Sequence, residues 1–304
     1  MTSKNSAILG TRGSRLALVQ AERSAASLRA AGIDVQVRTI RTTSEHQPDM
    51  PLAVIDQRDV FTRQLDEALL SGEIDLAVHS LKDVPTELPV GISLAAATRR
   101  RDPADVLVSD ERYTLDGLPH EAVVATSSLR RKAQLLHHRP DLDIIGIRGN
   151  VDTRVRKMRE GAADAVVLAR AGLERLGLDA PHTVVPVDLV LPAVGQGALA
   201  AATLHDHPLR GSIRGALNHE PTERAVLAER AMLRALEGGC RVPVGASSTV
   251  KGSVVRLRGV VISPDGALVY RGEAEGEEPE EVGQRLARDL LEQGAAVVLR
   301  GVRR

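Results

Sequence analysis

Short apolar runs alternate with stretches of helical period through the first two-thirds of the chain, a pattern that predicts an α/β architecture. Ala7–Leu9 reads as a strand, Leu16–Ala31 as a helix closed by Gly32, and Val35–Ile40 as a second strand. Val60–Leu70 repeats the helical period and stops at Gly72, ahead of a strand at Leu76–His79. A comparable series starts near Ala122: strand Val123–Ala125, helix Leu129–His138, strand Ile144–Ile147, helix Val151–Glu160 and strand Ala165–Leu168.

Two features recur between these series. Thr11-Arg12-Gly13-Ser14 and Thr126-Ser127-Ser128-Leu129 each join a strand to a helix, while Gly72-x-x-Asp75-x-Ala77-Val78 and Gly161-x-x-Asp164-x-Val166-Val167 each join a helix to a strand. The spacing between copies differs, so the repeat is weak, yet it predicts two similar α/β domains. Arg99–Pro103 reads as an outward crossing and Leu191–Leu199, with Pro192, Gly195 and Gly197, as the return, which makes the first domain discontinuous. Past Pro221 the pattern changes to a long helix, Thr222–Leu236, then β-prone Val254–Ile262 and Leu268–Ala274 joined through Pro264-Asp265-Gly266, and a final helix at Glu280–Glu292. The expected division is 1–98 with 198–216, then 104–191, then a small α+β domain at 219–304.

Composition narrows the class. Of 304 residues 43% are apolar and 26% charged, with formal net charge zero, which supplies packed cores and no global field to attract a polyanion. Phe61, Tyr113 and Tyr270 are the only aromatic residues, too few platforms for stacking single-stranded nucleic acid. A single cysteine, Cys240, excludes an intrachain disulfide and a Cys-rich zinc site and points to a reducing compartment. No run approaches the apolar length of a membrane span and residues 1–6 hold no apolar signal core, so a cytoplasmic protein without membrane contact is expected. Only five of the 40 basic residues are lysine. Most of that bias reads as codon usage, but the planar fork of arginine also clamps carboxylates.

Thr126-Ser127-Ser128-Leu129-Arg130-Arg131 carries the most local information, because hydroxyls and free N–H groups at a helix start form an anion site. Two arginines in a first turn conflict with the helix dipole, and an anionic ligand between them would resolve the conflict. The alternative is an ordinary cap followed by solvated arginines. Arg148-Gly149-Asn150 and Arg154 lie just past another strand end, and Arg12 and Ser14 occupy the equivalent edge of the first domain. Together they imply a cleft with several carboxylate clamps and a small polyanionic ligand.

In His79-Ser80-Leu81-Lys82-Asp83-Val84-Pro85, Lys82 and Asp83 would project from a sheet edge, where Asp83 either serves a cation or a proton or simply forms the turn before proline. Cys240, in Leu236-Glu237-Gly238-Gly239-Cys240-Arg241-Val242-Pro243, follows a helix C-terminus that disfavours thiolate, while Arg241 favours it. The paired glycines leave room for a permanently attached group, and an inert packed cysteine is the alternative. Nucleotide-loop, zinc-protease and hydrolase motifs are absent, histidine spacing fits no ligand set, and no metal is expected.

These segments, in this order, resemble the porphobilinogen deaminase family, also called hydroxymethylbilane synthase: Thr11–Leu18, Asp75–Pro85, Thr126–Arg131, Arg148–Arg154, Leu191–Ala198 and Leu236–Gly245. The resemblance implies three domains, two like type II periplasmic binding proteins around a cleft and a small α+β unit. It implies that Cys240 holds one covalent dipyrromethane per chain through a thioether. Porphobilinogen would be the substrate: loss of ammonia gives an electrophilic azafulvene that the terminal pyrrole attacks, and four additions precede hydrolytic release of hydroxymethylbilane for haem, chlorophyll and cobalamin biosynthesis. Asp83 matches the family's catalytic acid, which holds pyrrole N–H groups and stabilises developing positive charge. Arg12, Ser14, Ser80, Lys82, Thr126, Ser127, Ser128, Arg130, Arg131, Arg148, Gly149, Arg154, Arg175 and Gln196 match positions that bind cofactor or substrate. One region departs: Ser44-Glu45 and Val54-Ile55-Asp56-Gln57-Arg58-Asp59 stand where the family has Gly-Asp and a glycine- and lysine-rich lid, with Phe61 retained and Arg58 in place of a lysine. A monomer is expected.

Two rival readings stay open at this level. A binding protein closing on an anionic solute would share the first two domains but has no use for Gly238-Gly239-Cys240. An enzyme using Cys240 as a transient nucleophile needs a base, which the local motif does not supply.

Overall fold

The computed structural model describes residues 5–41, 62–236 and 242–302. Arg58, Phe61, the Ser44-Glu45 and Val54–Asp59 departures, Gly238-Gly239 and Cys240 lie outside the described residues.

The chain opens with β1 (Ser6–Thr11), α1 (Arg15–Ala30), β2 (Asp34–Thr39), α2 (Arg63–Leu70), β3 (Leu76–Ser80) and β4 (Ile92–Ala97). It continues with β5 (Asp105–Val108), β6 (Val123–Ala125), α3 (Leu129–His138), β7 (Asp143–Ile145), α4 (Val151–Lys157), β8 (Ala165–Ala169), α5 (Arg170–Leu176) and β9 (His182–Val184). Then come β10 (Leu199–Leu204), α6 (Arg210–Leu217), α7 (Glu220–Ala235), β11 (Val244–Lys251), β12 (Val254–Ile262), β13 (Val269–Gly276), α8 (Pro279–Glu292) and α9 (Ala296–Val302). Two compact units result, 1–100 with 198–223 and 101–197 with 224–304.

The first unit is built on a five-stranded sheet in the order β2-β1-β3-β10-β4. β1 runs parallel to β2 and β3, and β10 runs antiparallel to both β3 and β4. The second unit repeats this plan as β7-β6-β8-β5-β9, with β5 in the antiparallel place. In each sheet the antiparallel strand, β10 or β5, is the one that immediately follows a crossing between units.

The recurrent aspartates explain why the repeat is visible in sequence. Asp75 accepts from Ile8 N–H at 2.6 Å while its own N–H donates to Ile8 O at 2.9 Å. Asp164 does the same with Val123, at 2.7 and 2.9 Å. Each aspartate therefore closes the start of the matching parallel strand of its sheet, β1 or β6, where a backbone donor would otherwise lack a partner. The preceding glycines, Gly72 at φ 72° and Gly161 at φ 88°, take a left-handed conformation that other residues resist.

The second unit also contains the antiparallel sheet β11-β12-β13. Met232 and Leu236 from the α7 region and Leu286 and Leu290 from α8 bury one face of it, against Val255, Leu257 and Val261. Ala133 of α3 and Leu191 pack on Val260 and Ile262, so this sheet is seated on the five-stranded part of the same unit. The mixed α/β class with a small third sheet domain is the one expected from the sequence.

Three local differences have physical causes. The helix expected at Val151–Glu160 stops at Lys157 and widens through Met158–Ala162, because Gly161 leaves the helical region. The strand expected to reach Ile147 ends at Ile145, since the Ser127 hydroxyl takes both backbone groups of Ile147, donating to its O at 2.7 Å and accepting from its N–H at 3.0 Å. β4 and β10 carry alanine runs with no strand signature, yet both are buried in the first sheet. Alanine favours helix in isolation, and here the pairing of the sheet overrides that preference.

Candidate active site

In the first unit the expected residues gather at the C-terminal ends of adjacent parallel strands. β1 ends at Thr11, and Ser14 caps α1 by accepting from Ala17 N–H at 3.3 Å. Gln20, one turn further along, donates to the Ser80 hydroxyl at 3.0 Å and so ties α1 to the end of β3. Beyond Ser80 the chain makes a single tight turn, Leu81–Asp83. Leu81 is buried and its N–H donates to Ala198 O at 3.0 Å, which anchors the turn and leaves Lys82 and Asp83 half-buried beside it. His79 is buried next to this edge. Burial and then the charge on Arg12 push its pKa down from 6.5 to about 4, so the ring is neutral and the Arg12 guanidinium lies within electrostatic reach of it.

In the second unit the Thr126–Ser128 turn is built by its own hydroxyls. Thr126 Oγ1 accepts from Ser128 N–H at 3.2 Å, Ser127 bridges to Ile147, and Ser128 caps α3 by accepting from Arg131 N–H at 3.5 Å. Arg148 is half-buried past β7, with its carbonyl accepting from Lys157 Nζ at 3.3 Å. Arg154 folds back to donate from Nε to Gly149 O at 2.7 Å. Gly149 sits at φ 111°, where a Cβ would meet the Thr153 side chain at 2.6 Å, so the turn carrying Arg148 requires glycine.

Arg130 and Arg131 are not solvated; both are buried, and the anion between them is Asp105. Arg130 Nη2 reaches Asp105 Oδ2 and Arg131 Nη2 reaches Asp105 Oδ1, each at 2.8 Å. Arg130 Nη1 also donates to Leu191 O at 2.6 Å and Arg131 Nη1 to Val167 O at 2.9 Å. Burial alone would raise the Asp105 pKa, but the two guanidiniums outweigh it and hold the carboxyl well below the ordinary range. Gln196 Nε2 joins the cluster, donating to Asp105 Oδ1 at 2.8 Å and to Pro103 O at 2.6 Å. Arg175, also buried, donates to Gly197 O at 2.6 Å.

The expected anion-binding arginines thus also fasten the crossing segments of their own unit. Two guanidiniums against one carboxylate leave a buried excess of positive charge, and among the described residues Arg131 Nε has no hydrogen-bond partner. Both features fit a further carboxylate. Sequence reasoning missed Asp105 because nothing near Pro103-Ala104 marks it; its partners lie 25 and 26 residues away. It also missed Gln134, whose amide donates to Leu191 O at 3.1 Å and whose carbonyl accepts from Leu191 N–H at 2.8 Å. Glu229 was missed as well, fully buried, accepting from Gly195 N–H at 2.8 Å and from the Ser248 hydroxyl at 2.5 Å. Among the described residues no cluster of three metal-ligating side chains occurs, and no helix is long and apolar enough to cross a membrane.

Comparison with known proteins follows the same segments. A family model described as porphobilinogen deaminase, dipyromethane cofactor binding domain, matches residues 7–209, and one described as porphobilinogen deaminase, C-terminal domain, matches 224–292. A porphobilinogen deaminase from Rubrobacter xylanophilus is 68% identical over 296 residues, covering 97% of each chain. One from Desulforudis audaxviator is 48% identical over 301 residues, again 97% of each. Among solved structures, the methionine binding protein MetQ aligns with 70% of this chain and 90% of its own at 13% identity, with a TM-score of 0.46.

Proposed function

The chain belongs to the porphobilinogen deaminase family, and on that premise we propose how its residues divide the work. The activity is that of a transferase, hydroxymethylbilane synthase, which condenses four porphobilinogen molecules with loss of ammonia and uses a dipyrromethane cofactor. When bound, that cofactor supplies the electron-rich pyrrole carbon to which substrate is added.

In our reading Cys240 is the attachment point, one dipyrromethane per chain. Arg130 and Arg131 grip carboxylate arms, with Arg12, Arg148, Arg154, Arg175, Lys82, Thr126, Ser127, Ser128, Ser14, Ser80, Gly149 and Gln196 completing the polar surroundings. The single observation that carries this reading is the buried, positively charged Asp105–Arg130–Arg131 cluster with a donor left over at Arg131 Nε, since an uncompensated buried charge is costly unless an anion meets it. Asp83, fixed in a tight turn beside Lys82, stabilises positive charge developing on the reacting pyrrole and accepts its N–H groups. Arg58 and Phe61 we assign to the lid.

We further place the enzyme in the cytoplasm as a monomer without nucleic-acid or membrane partners, on the strength of its zero net charge, three aromatic residues and lone cysteine. Three domains, 1–98 with 198–216, 104–191 and 219–304, are supported by the three separate sheets. The reading is tested by weighing the denatured intact protein. A mass increment of one dipyrromethane is expected, and active protein no heavier than its translated sequence would refute the attachment.

A further inference from the structure

The two five-stranded sheets fill equivalent positions with different chemistry. After the matching strands β1 and β6, a serine caps the helix and accepts from the N–H three residues on: Ser14 from Ala17, Ser128 from Arg131. By that register Leu16 and Ala17 stand where the second unit has Arg130 and Arg131, and the buried Gln20 stands where it has Gln134. Strand pairing extends the match. Leu199 is opposite Ser80 at the end of β3, and Asp105 is opposite Ala169 at the end of β8. Just beyond, Leu81 N–H donates to Ala198 O at 3.0 Å and Arg170 N–H to Ala104 O at 3.1 Å.

Those places hold Leu16 and Ala17, half-buried, with the buried Leu199 in one copy, and Arg130, Arg131 and Asp105, all buried, in the other. Apolar groups at such places generally stabilise a fold as well as buried ions do, so folding alone does not account for the three charges. What the charges do provide is rigidity. Both Asp105 oxygens are engaged, and each guanidinium is held from two sides, by Asp105 and by a backbone carbonyl. Gln196 holds Asp105 in turn.

We propose that Asp105 is a positioning residue for the reaction: it fixes Arg130 and Arg131 in one orientation, so that their remaining donors are already aimed at a pyrrole carboxylate before it arrives. A free arginine side chain loses much rotamer freedom when it grips an anion, and prior immobilisation removes that cost from binding. Asp105 itself touches no substrate. The inference rests on the assignment of these arginines as carboxylate-binding groups.

The test compares holoenzyme carrying Asp105→Asn or Asp105→Glu with the parent, with rates divided by the fraction of chains bearing the dipyrrole mass. Asp105→Asn is expected to raise KM for porphobilinogen by about tenfold or more while kcat per loaded chain changes little. Asp105→Glu keeps the charge but displaces both guanidiniums by about one bond length, and a KM rise of about fivefold or more is expected there too. It also serves if the asparagine variant fails to fold. An unchanged KM in Asp105→Glu, whatever its kcat, would mean that charge balance alone matters and overturns the proposal. A parent enzyme without the mass increment would instead sink the cofactor reading, so the two failures are distinguishable.

Discussion

His79 and Asp66 show how burial of single residues sets opposite responses to pH. The pKa of His79 is lowered from 6.5 to about 4 by burial and then by Arg12. The unfolded chain takes up this proton at the higher value and the folded chain at the lower, so stability present above 6.5 is lost as pH falls through about 4. Asp66 runs the other way: burial raises it from 3.8 to about 6, so its contribution is complete below 3.8 and lost as pH rises through about 6. His79→Gln should flatten the acid side of the stability profile, and comparing variant with parent by urea denaturation at several pH values cancels Asp66. Equal slopes in the two proteins would remove His79 from the account. At the same sheet edge, Asp83→Asn keeps the shape but removes the charge and turns one acceptor oxygen into a donor. Turnover per loaded chain is expected to fall by about 100-fold with the tether intact, and near-normal turnover would take Asp83 out of the chemistry.

Among the elements, the two sheets share a plan held by the same device, an aspartate closing the start of β1 or β6. Asp75→Ala leaves Ile8 N–H without its side-chain acceptor and also loses the His207 contact at 3.1 Å, so thermal and urea unfolding should report a loss of about 1 to 2 kcal/mol. Asp164→Ala, in a more exposed setting where water replaces the acceptor, should cost less. Equal losses would contradict this ordering. Both aspartates were legible in the sequence because the motif that fixes them is local. β12 and α3 were legible for the same reason, their apolar period being strong within one segment. The alanine runs of β4 and β10 were not, because a sequence such as Leu199–Leu204 acquires its strand state only from its neighbours on either side, β3 and β4.

Across the whole molecule, the proposed function joins a cysteine and an arginine cluster that lie far apart in sequence. Cys240→Ala should lack the dipyrrole mass after denaturation, and retention of that mass would place the attachment elsewhere. The sequence by itself determined the α/β class, the weak internal repeat, the crossings near Arg99–Pro103 and Leu191–Leu199, and the residues that match the family's motifs, because each of these is written in local period, turn chemistry or motif. Only the tertiary structure decided what those residues touch. Arg130 and Arg131 read in sequence as a pair awaiting an anionic ligand, and folding brings Asp105 between them and Gln196 across 91 residues to hold it. Burial and pairing of charges are properties of the packed chain, and no short segment carries them alone.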